Sequence, residues 1–423
     1  MQQPAQKKQI HVALDRAVDM FRRGDVKGAK VAFATAQRLD AQNAHALNGL
    51  GSVAAAQGDM SEAVRLFRAA LASVPNLGMA RDNLVHALLS LTQNAITTGD
   101  PIAGLPLVAE AARYSSGDPS LAERVVVDAF ALSERLAGMG HAECIEALRA
   151  ALQVAPGQPE IRVNLENYLA KFGRPAVLAD YVPDFDPAAV GTKLLIACFP
   201  KSGSTLLKSL LCKATGFAEQ WLAYTYQENE QDLYRPHLLH GARQNAVIQQ
   251  HCLATAANIH LMQAFGIRPI ILVRNIYDVL LSWKEFLDGG AYAQTFYPTY
   301  PELEGAARFD FVLDTRAEWY LRFFAGWQRA VRKGEIEAKW LTYEDLTANV
   351  REKIDELLRF HGVTADPQRV AHAIDQMTSA RHSTRFNKGV VGRGLAAFSP
   401  DQQARIARLA AYHRDADFAM IGL

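Results

Sequence analysis

The sequence predicts two unlike halves: an all-α helical-repeat solenoid, then an α/β domain of the three-layer, parallel-sheet kind. Three observations carry this. Through about residue 180 the chain is rich in Ala and Leu at helical spacing, and it repeats. A Pro/Asp-rich seam, Asp180-Tyr181-Val182-Pro183-Asp184-Phe185-Asp186-Pro187, then breaks the pattern. Beyond it, short β-branched runs alternate with helical stretches. The expected division is residues 1–180 for the repeats, 181–190 for a linker and 191–423 for the α/β domain.

The repeat has a measurable period. Gly24, Ala29, Phe33 and Ala36 recur 34 positions later as Gly58, Ala63, Phe67 and Ala70. Leu47, Leu50, Gly51, Ala63, Phe67, Ala70, Leu71 and Pro75 occupy the positions of a tetratricopeptide (TPR) repeat, which the array resembles. Small residues such as Gly51 and Ala63 let paired helices approach, Phe67 fills the groove between pairs, and Pro75 ends the second helix. A third unit is expected from about Gly78 past an irregular Gly99-Asp100-Pro101. A fourth carries Leu132, Leu148, Ala151, Leu152 and Pro156, and Leu165, Leu169 and Gly173 suggest a capping helix pair. Stacked repeats present a concave face, so a protein or peptide partner is expected there.

In the second half, strands are expected at Leu194–Phe199, Ala246–Gln250, Pro269–Val273 and Lys339–Thr342. The first runs into Pro200-Lys201-Ser202-Gly203-Ser204-Thr205, with a helix from about Leu206 to Lys213. Strand, tight loop and helix N-terminus together aim unpaired N–H groups and the positive end of a helix dipole at one spot. Lys201 adds a charge; Ser202, Ser204 and Thr205 add hydroxyls. The loop is not a Walker A motif, because the lysine precedes the glycine by two and no glycine lies upstream. An ATP or GTP hydrolase is therefore disfavoured. A second anion contact is expected at Arg274, which ends the apolar run Ile270-Ile271-Leu272-Val273, with Ser282 two helical turns on. Taken alone, Arg274 reads first as a residue capping the sheet edge through Asp278.

Composition narrows the partners. Forty-five Lys and Arg against 44 Asp and Glu leave a net charge of +1, which argues against nucleic acid and against a polybasic membrane surface. Cys144, Cys198, Cys212 and Cys252 lack paired spacing, so neither zinc nor a disulfide frame is indicated. No run approaches a membrane span, and the polar N-terminus lacks the apolar core of a signal peptide; a cytoplasmic protein is expected.

The order Pro-Lys-Ser-Gly-Ser-Thr resembles the 5′-phosphosulfate loop of the sulfotransferases, which use 3′-phosphoadenosine 5′-phosphosulfate (PAPS) and release 3′-phosphoadenosine 5′-phosphate (PAP). Val273-Arg274-Asn275-Ile276-Tyr277-Asp278-Val279-Leu280-Leu281-Ser282-Trp283 resembles the family's 3′-phosphate motif, in which Arg and Ser bind that phosphate. Tyr343-Glu344-Asp345-Leu346 resembles an element whose tyrosine lies near the adenine. Phe386-Asn387-Lys388-Gly389-Val390-Val391-Gly392 resembles the loop that closes over the 3′-phosphate, and Phe398-Ser399 then leads into a capped helix. Four elements stand in family order.

The resemblance implies PAPS-dependent transfer of a sulfuryl group to an acceptor hydroxyl on a peptide, protein or carbohydrate, with no metal. Lys201 is expected to stabilise charge on the leaving phosphate, helped by the N–H groups of Gly203 to Leu206. His251 stands where the cytosolic members carry the histidine of Lys-Thr-His, and so is the candidate base; the alternative for it is a core or hydrogen-bonded histidine at a strand end. A carboxylate base, Glu228 or Glu230, is the other possibility. Three residues depart from the cytosolic pattern: Leu206 replaces a tryptophan that stacks on adenine, Gln249 the lysine of Lys-Thr-His, and Asn387 an arginine. Trp221 and Trp283 are candidates for an aromatic face, and the aromatic-rich segment 288–315 (Tyr292, Phe296, Tyr297, Tyr300, Phe309) is expected as a loop covering the acceptor. The departures also leave room for a nucleotide-binding TPR adaptor with impaired catalysis.

Overall fold

The computed structural model describes residues 4–115, 117–181, 185–224, 230–380 and 392–423. The chain forms two compact units, one of Met1–Arg174 with Asp180–Pro183, the other of Pro175–Ala179 with Asp184–Leu423. Among the described residues no helix is long and apolar enough to cross a membrane.

The N-terminal unit is a TPR-type array of helical hairpins. Its helices are α1 (Pro4–Arg22), α2 (Val26–Leu39), α3 (Ala44–Ala56), α4 (Met60–Ser73), α5 (Gly78–Thr98), α6 (Gly104–Ser115), α7 (Pro119–Gly138), α8 (Cys144–Val154) and α9 (Pro159–Phe172). The first two hairpins repeat down to their caps. Asp25 accepts the N–H of Gly28 and begins α2, and Asp59 accepts that of Glu62 and begins α4. Phe67 is 2 % exposed and lies against Gly51, where a Cβ would stand only 2.5 Å from its ring. The glycine is thus what admits the phenylalanine. The third hairpin is irregular because α5 runs on to Gly99, whose left-handed φ of 95° ends it.

The array ends differently from expectation. Instead of a capping pair, the single helix α9 stops at Gly173 (φ 59°), and the chain makes only a 3₁₀ turn at Leu178–Asp180. Pro175 explains this, since it disfavours helical backbone at Arg174 and cannot donate its own N–H. Arg149 holds the buried Asp180 through two hydrogen bonds of 2.7 and 3.0 Å. In the expected linker, Asp186 caps a short 3₁₀ turn at Pro187–Ala189.

The C-terminal unit is built on five parallel strands: β1 (Lys193–Cys198), β2 (Ala218–Gln220), β3 (Ala246–Gln250), β4 (Ile270–Val273) and β5 (Lys339–Thr342). Their spatial order is β2-β3-β1-β4-β5. β1 is central, pairing Leu194 with Val247 on one side and Ile196 with Ile270 on the other. All its residues are buried, as expected of a strand covered on both faces. The missed strand, β2, is three residues long and reads Ala-Glu-Gln, with no β-branched residue to signal it.

Around the sheet lie α10 (Ser204–Thr215), α11 (Arg235–His240), α12 (Ala256–Ala264), α13 (Ile276–Asp288), α14 (Ala291–Phe296), α15 (Ala306–Val312), α16 (Glu318–Arg332), α17 (Tyr343–Ala348), α18 (Val350–Phe360), α19 (Pro367–Ala380) and α20 (Pro400–Ala410). Ser399 caps α20 in a reciprocal pair with Gln402. One core joins β1 and β4 to α10, α18 and α19 through Ile196, Leu272, Leu211, Leu357 and Val370. Segment 288–315, expected as a loop, is largely helical and packs on itself. Tyr300 is 1 % exposed and its hydroxyl donates to Asp288 at 2.9 Å.

The Gly51–Phe67 contact makes a test. Gly51→Val overpacks the hairpin and should cost about 1–3 kcal/mol, read as a lower unfolding midpoint of the full chain.

Candidate functional site

The parallel sheet determines where the chemistry gathers. With every strand running the same way, whatever follows each strand emerges at one edge. β1 ends into the turn Phe199-Pro200-Lys201, β3 into His251, β4 into Arg274 and β5 into Tyr343. All four strand ends line a single cavity of about 760 Å³.

The loop after β1 is strained and held. Lys201 has φ 68°, the one positive φ at a non-glycine among the described residues, a conformation that costs about 1 kcal/mol or more. Gly203, at φ 83°, passes so close to Tyr343 that a Cβ would stand 2.6 Å from its ring. The loop's carbonyls are engaged by the protein: Tyr320 donates to Pro200 O at 3.1 Å and Arg274 to Lys201 O at 3.4 Å. No side chain caps α10, so its first-turn N–H groups remain for a ligand. Lys201 Nζ lies 4.2 Å from the centre of the Phe286 ring, on the cavity wall.

The hydroxyls divide. Ser204 and Thr205 line the cavity, with Gln249 donating to Ser204 Oγ at 2.9 Å. Ser202 is fully buried, and its hydroxyl donates to Phe199 O at 2.7 Å instead of facing an anion. Ser282, 4 % exposed on α13, is absent from the wall. Leu206, which stands in place of the cytosolic members' stacking tryptophan, lines the cavity with Leu210, Ala373 and Met377 as an aliphatic wall. Trp283 also lies on the wall.

Arg274 is 6 % exposed and stacks on Tyr343, 4.4 Å from the ring centre. Its distance to Asp278 is 3.9 Å, and its Nε is buried without a partner. Asp278 is occupied elsewhere: its two oxygens accept the N–H groups of Gly392 (2.7 Å) and Gly394 (2.6 Å). It therefore holds the chain at the end of the Phe386–Gly392 motif, in which Asn387, Lys388 and Gly389 lie outside the described residues, as does Glu228 in the earlier segment. An under-bonded, buried guanidinium beside an uncapped helix end suits a phosphate.

His251 faces two ways. Its Nδ1–H donates to Cys198 O at 2.9 Å, leaving Nε2 as the basic nitrogen, 3.5 Å from Glu230 Oε2. Burial draws its pKa below the ordinary 6.5; Glu230 and the Cys198 carbonyl oppose the shift, while Arg316 adds to it. The imidazole is thus neutral at pH 7. Burial pushes the neighbouring Cys198 thiol up to about 12, so it stays protonated.

Arg316 was not singled out from sequence. It lines the same cavity from a π-helical turn, Leu313–Ala317, joining α15 to α16. Nothing in Leu313-Asp314-Thr315-Arg316-Ala317 announces that turn; an arginine on a helical stretch reads as a solvated one.

Residues 191–388, just under half of the chain, match the sulfotransferase domain family, and the repeated helical hairpins precede them. No curated protein matches the chain. Among solved structures it is similar to mouse sulfotransferase SULT7A1 complexed with PAP, at 15% identity over 54% of this chain and 86% of that one, TM-score 0.42. It is also similar to YrrB, a TPR protein with an unusual peptide-binding site (22% identity, 41% and 86% covered, TM-score 0.25), and to MamA from Desulfovibrio magneticus RS-1 (20%, 39% and 86%, 0.25).

The His251 shift has a testable sign. Unfolded chain takes up the proton first on acidification, so His251 supports stability above pH 6.5 and that support is lost as pH falls through the lower folded value. An NMR titration of the imidazole should give a midpoint below 6.5; a midpoint above it would contradict the assigned burial.

Proposed function

We propose that the chain transfers the sulfuryl group of PAPS to an acceptor hydroxyl, with the TPR unit recruiting the acceptor or its carrier. One observation carries the reading. Two cations from different strand ends, Lys201 and Arg274, meet the uncapped start of α10 in one cavity. Those are places for the two ends of a doubly phosphorylated nucleotide. Arg274, with the partnerless Nε, takes the 3′-phosphate, while Lys201 and the first-turn N–H groups of α10 take the phosphosulfate end. The aliphatic wall of Leu206, Leu210, Ala373 and Met377 suits the adenine by dispersion rather than by ring stacking.

The chemistry is an in-line displacement at sulfur. The acceptor oxygen bonds to sulfur, the bond from sulfur to the bridging phosphate oxygen breaks, and PAP leaves. Lys201 balances the charge that appears on that oxygen. The acceptor's proton passes to Nε2 of His251, which is neutral and hydrogen-bonded at its other nitrogen. Glu230 stabilises the resulting imidazolium, or takes the proton itself. The concave face of the repeats supplies a surface for a protein or peptide; that role rests on analogy of fold.

Gln249 favours a second reading. It presents an amide, tied to Ser204, where the cytosolic enzymes carry a lysine, which suits an adaptor that binds nucleotide without turning it over. Calorimetry with PAP followed by radiolabelled PAPS turnover in native extract separates the two: both should be positive for the transferase, only the first for the adaptor. Lys201→Ala and Arg274→Ala should each lower transfer about a hundredfold or more while leaving the unfolding midpoint near wild type. Full transfer in both variants would sink the site. His251→Ala should keep PAP affinity and lose turnover; the acid limb of wild-type kcat/KM should lie below pH 6.5.

A further inference from the structure

Arg316 is a cation that the nucleotide reading leaves unused. Its guanidinium carbon lies over Trp283, 4.3 Å from the ring centre, and 5.8 Å from that of Tyr297. Nη2 donates to the Tyr297 hydroxyl, and Nε is buried with no partner. Among the described residues no carboxylate comes within ion-pair distance of it; the acid on the same wall, Glu230, is set against His251 instead. A half-buried guanidinium ordinarily has a counter-charge, because desolvating it without one is costly. Here it is held in place by ring stacking and one tyrosine, with donors still to satisfy.

Its position tells which ligand it serves. The nucleotide contacts proposed above lie on the loop after β1, on Arg274 and along α10 and α19. Arg316 stands with Trp283, Phe286, Tyr292 and Trp319 on the walls made by α13, α14 and the start of α16. His251 and Glu230 belong to the same cavity, and the Arg316 charge is felt at His251. The aromatic walls suit a ring, and a fixed guanidinium suits a planar anion held by two hydrogen bonds.

We propose that Arg316 selects the acceptor: a hydroxyl-bearing aromatic ring that also carries a carboxylate, which Arg316 binds while the hydroxyl faces His251. The π-helical turn at Leu313–Ala317 then has a role, since it offsets Arg316 from regular helical register at the cavity wall. This rests on the transferase reading. The rival assignment within it is that Arg316 contacts the sulfuryl oxygens and acts on every acceptor alike.

Three ring-matched phenols distinguish these: 4-hydroxyphenylacetate (anionic), tyrosol (neutral) and tyramine (cationic). PAP affinity, measured first by calorimetry, tests the transferase reading by itself. Wild type should then favour the anionic phenol over tyrosol by about tenfold or more in kcat/KM, with tyramine the poorest. Arg316→Met should remove that preference through KM of the anionic phenol, and Arg316→Lys should restore part of it; near-UV circular dichroism checks that each variant is folded. Where no phenol is turned over, calorimetric binding of the three to PAP-loaded protein, or to free protein if PAP does not bind, gives the same comparison. Equal treatment of the three by wild type, or an equal fall in kcat for all three in Arg316→Met, would overturn the proposal.

Discussion

Everything at the site depends on one constraint: β1 is central in a sheet whose strands all run the same way. A strand paired on both sides and covered on both faces is apolar along its length, and past its first residue, Lys193, β1 is Leu194, Leu195, Ile196, Ala197 and Cys198, all buried. It cannot carry the chemistry itself. The chemistry therefore falls to the first residues beyond the strand ends, and parallel pairing brings those together although they are scattered from Lys201 to Tyr343 in sequence.

The loop after β1 shows how firmly that convergence is enforced. Its strained Lys201, its glycine pressed on Tyr343 and its two engaged carbonyls each tie it to a different element. Asn275 and Glu344 add a tie between the neighbouring strand ends, the Asn275 N–H donating to Glu344 at 3.2 Å. Burial raises the pKa of that carboxyl, yet it accepts a backbone hydrogen bond in return. Preorganisation of this kind places charge before a ligand arrives, which is where electrostatic stabilisation is most effective.

The N-terminal unit solves a different problem. No hairpin of the array can bury its own apolar face, so small residues and aromatic fillers alternate to let neighbours close on one another. Gly51 beneath Phe67 and Gly49 beneath Phe33 are the same device used twice, on either face of α3. Sequence periodicity exposed the repeats for that reason: the packing demand recurs with each hairpin. It failed at the array's end, where Pro175 interrupts the period and one helix stands in place of a pair.

Sequence by itself determined the two architectures, four of the five strands and the residues at their ends, because burial on both faces and the turn into a helix each impose a composition that can be read locally. Lys201, His251 and Arg274 were legible on that account. Tertiary structure alone decided which side chains of those segments reach the cavity. Ser202 and Ser204 are two residues apart, yet the first is turned inward, its hydroxyl closing the turn, while the second is part of the cavity wall with its hydroxyl held by Gln249. Asp278 supports the chain at Gly392 and Gly394 instead of pairing tightly with Arg274. Arg316 enters the cavity through a π-helical turn, and Glu230 comes to His251 from a distant segment. Such choices depend on where backbone donors and neighbouring rings stand in space, and no local pattern in the chain encodes those distances.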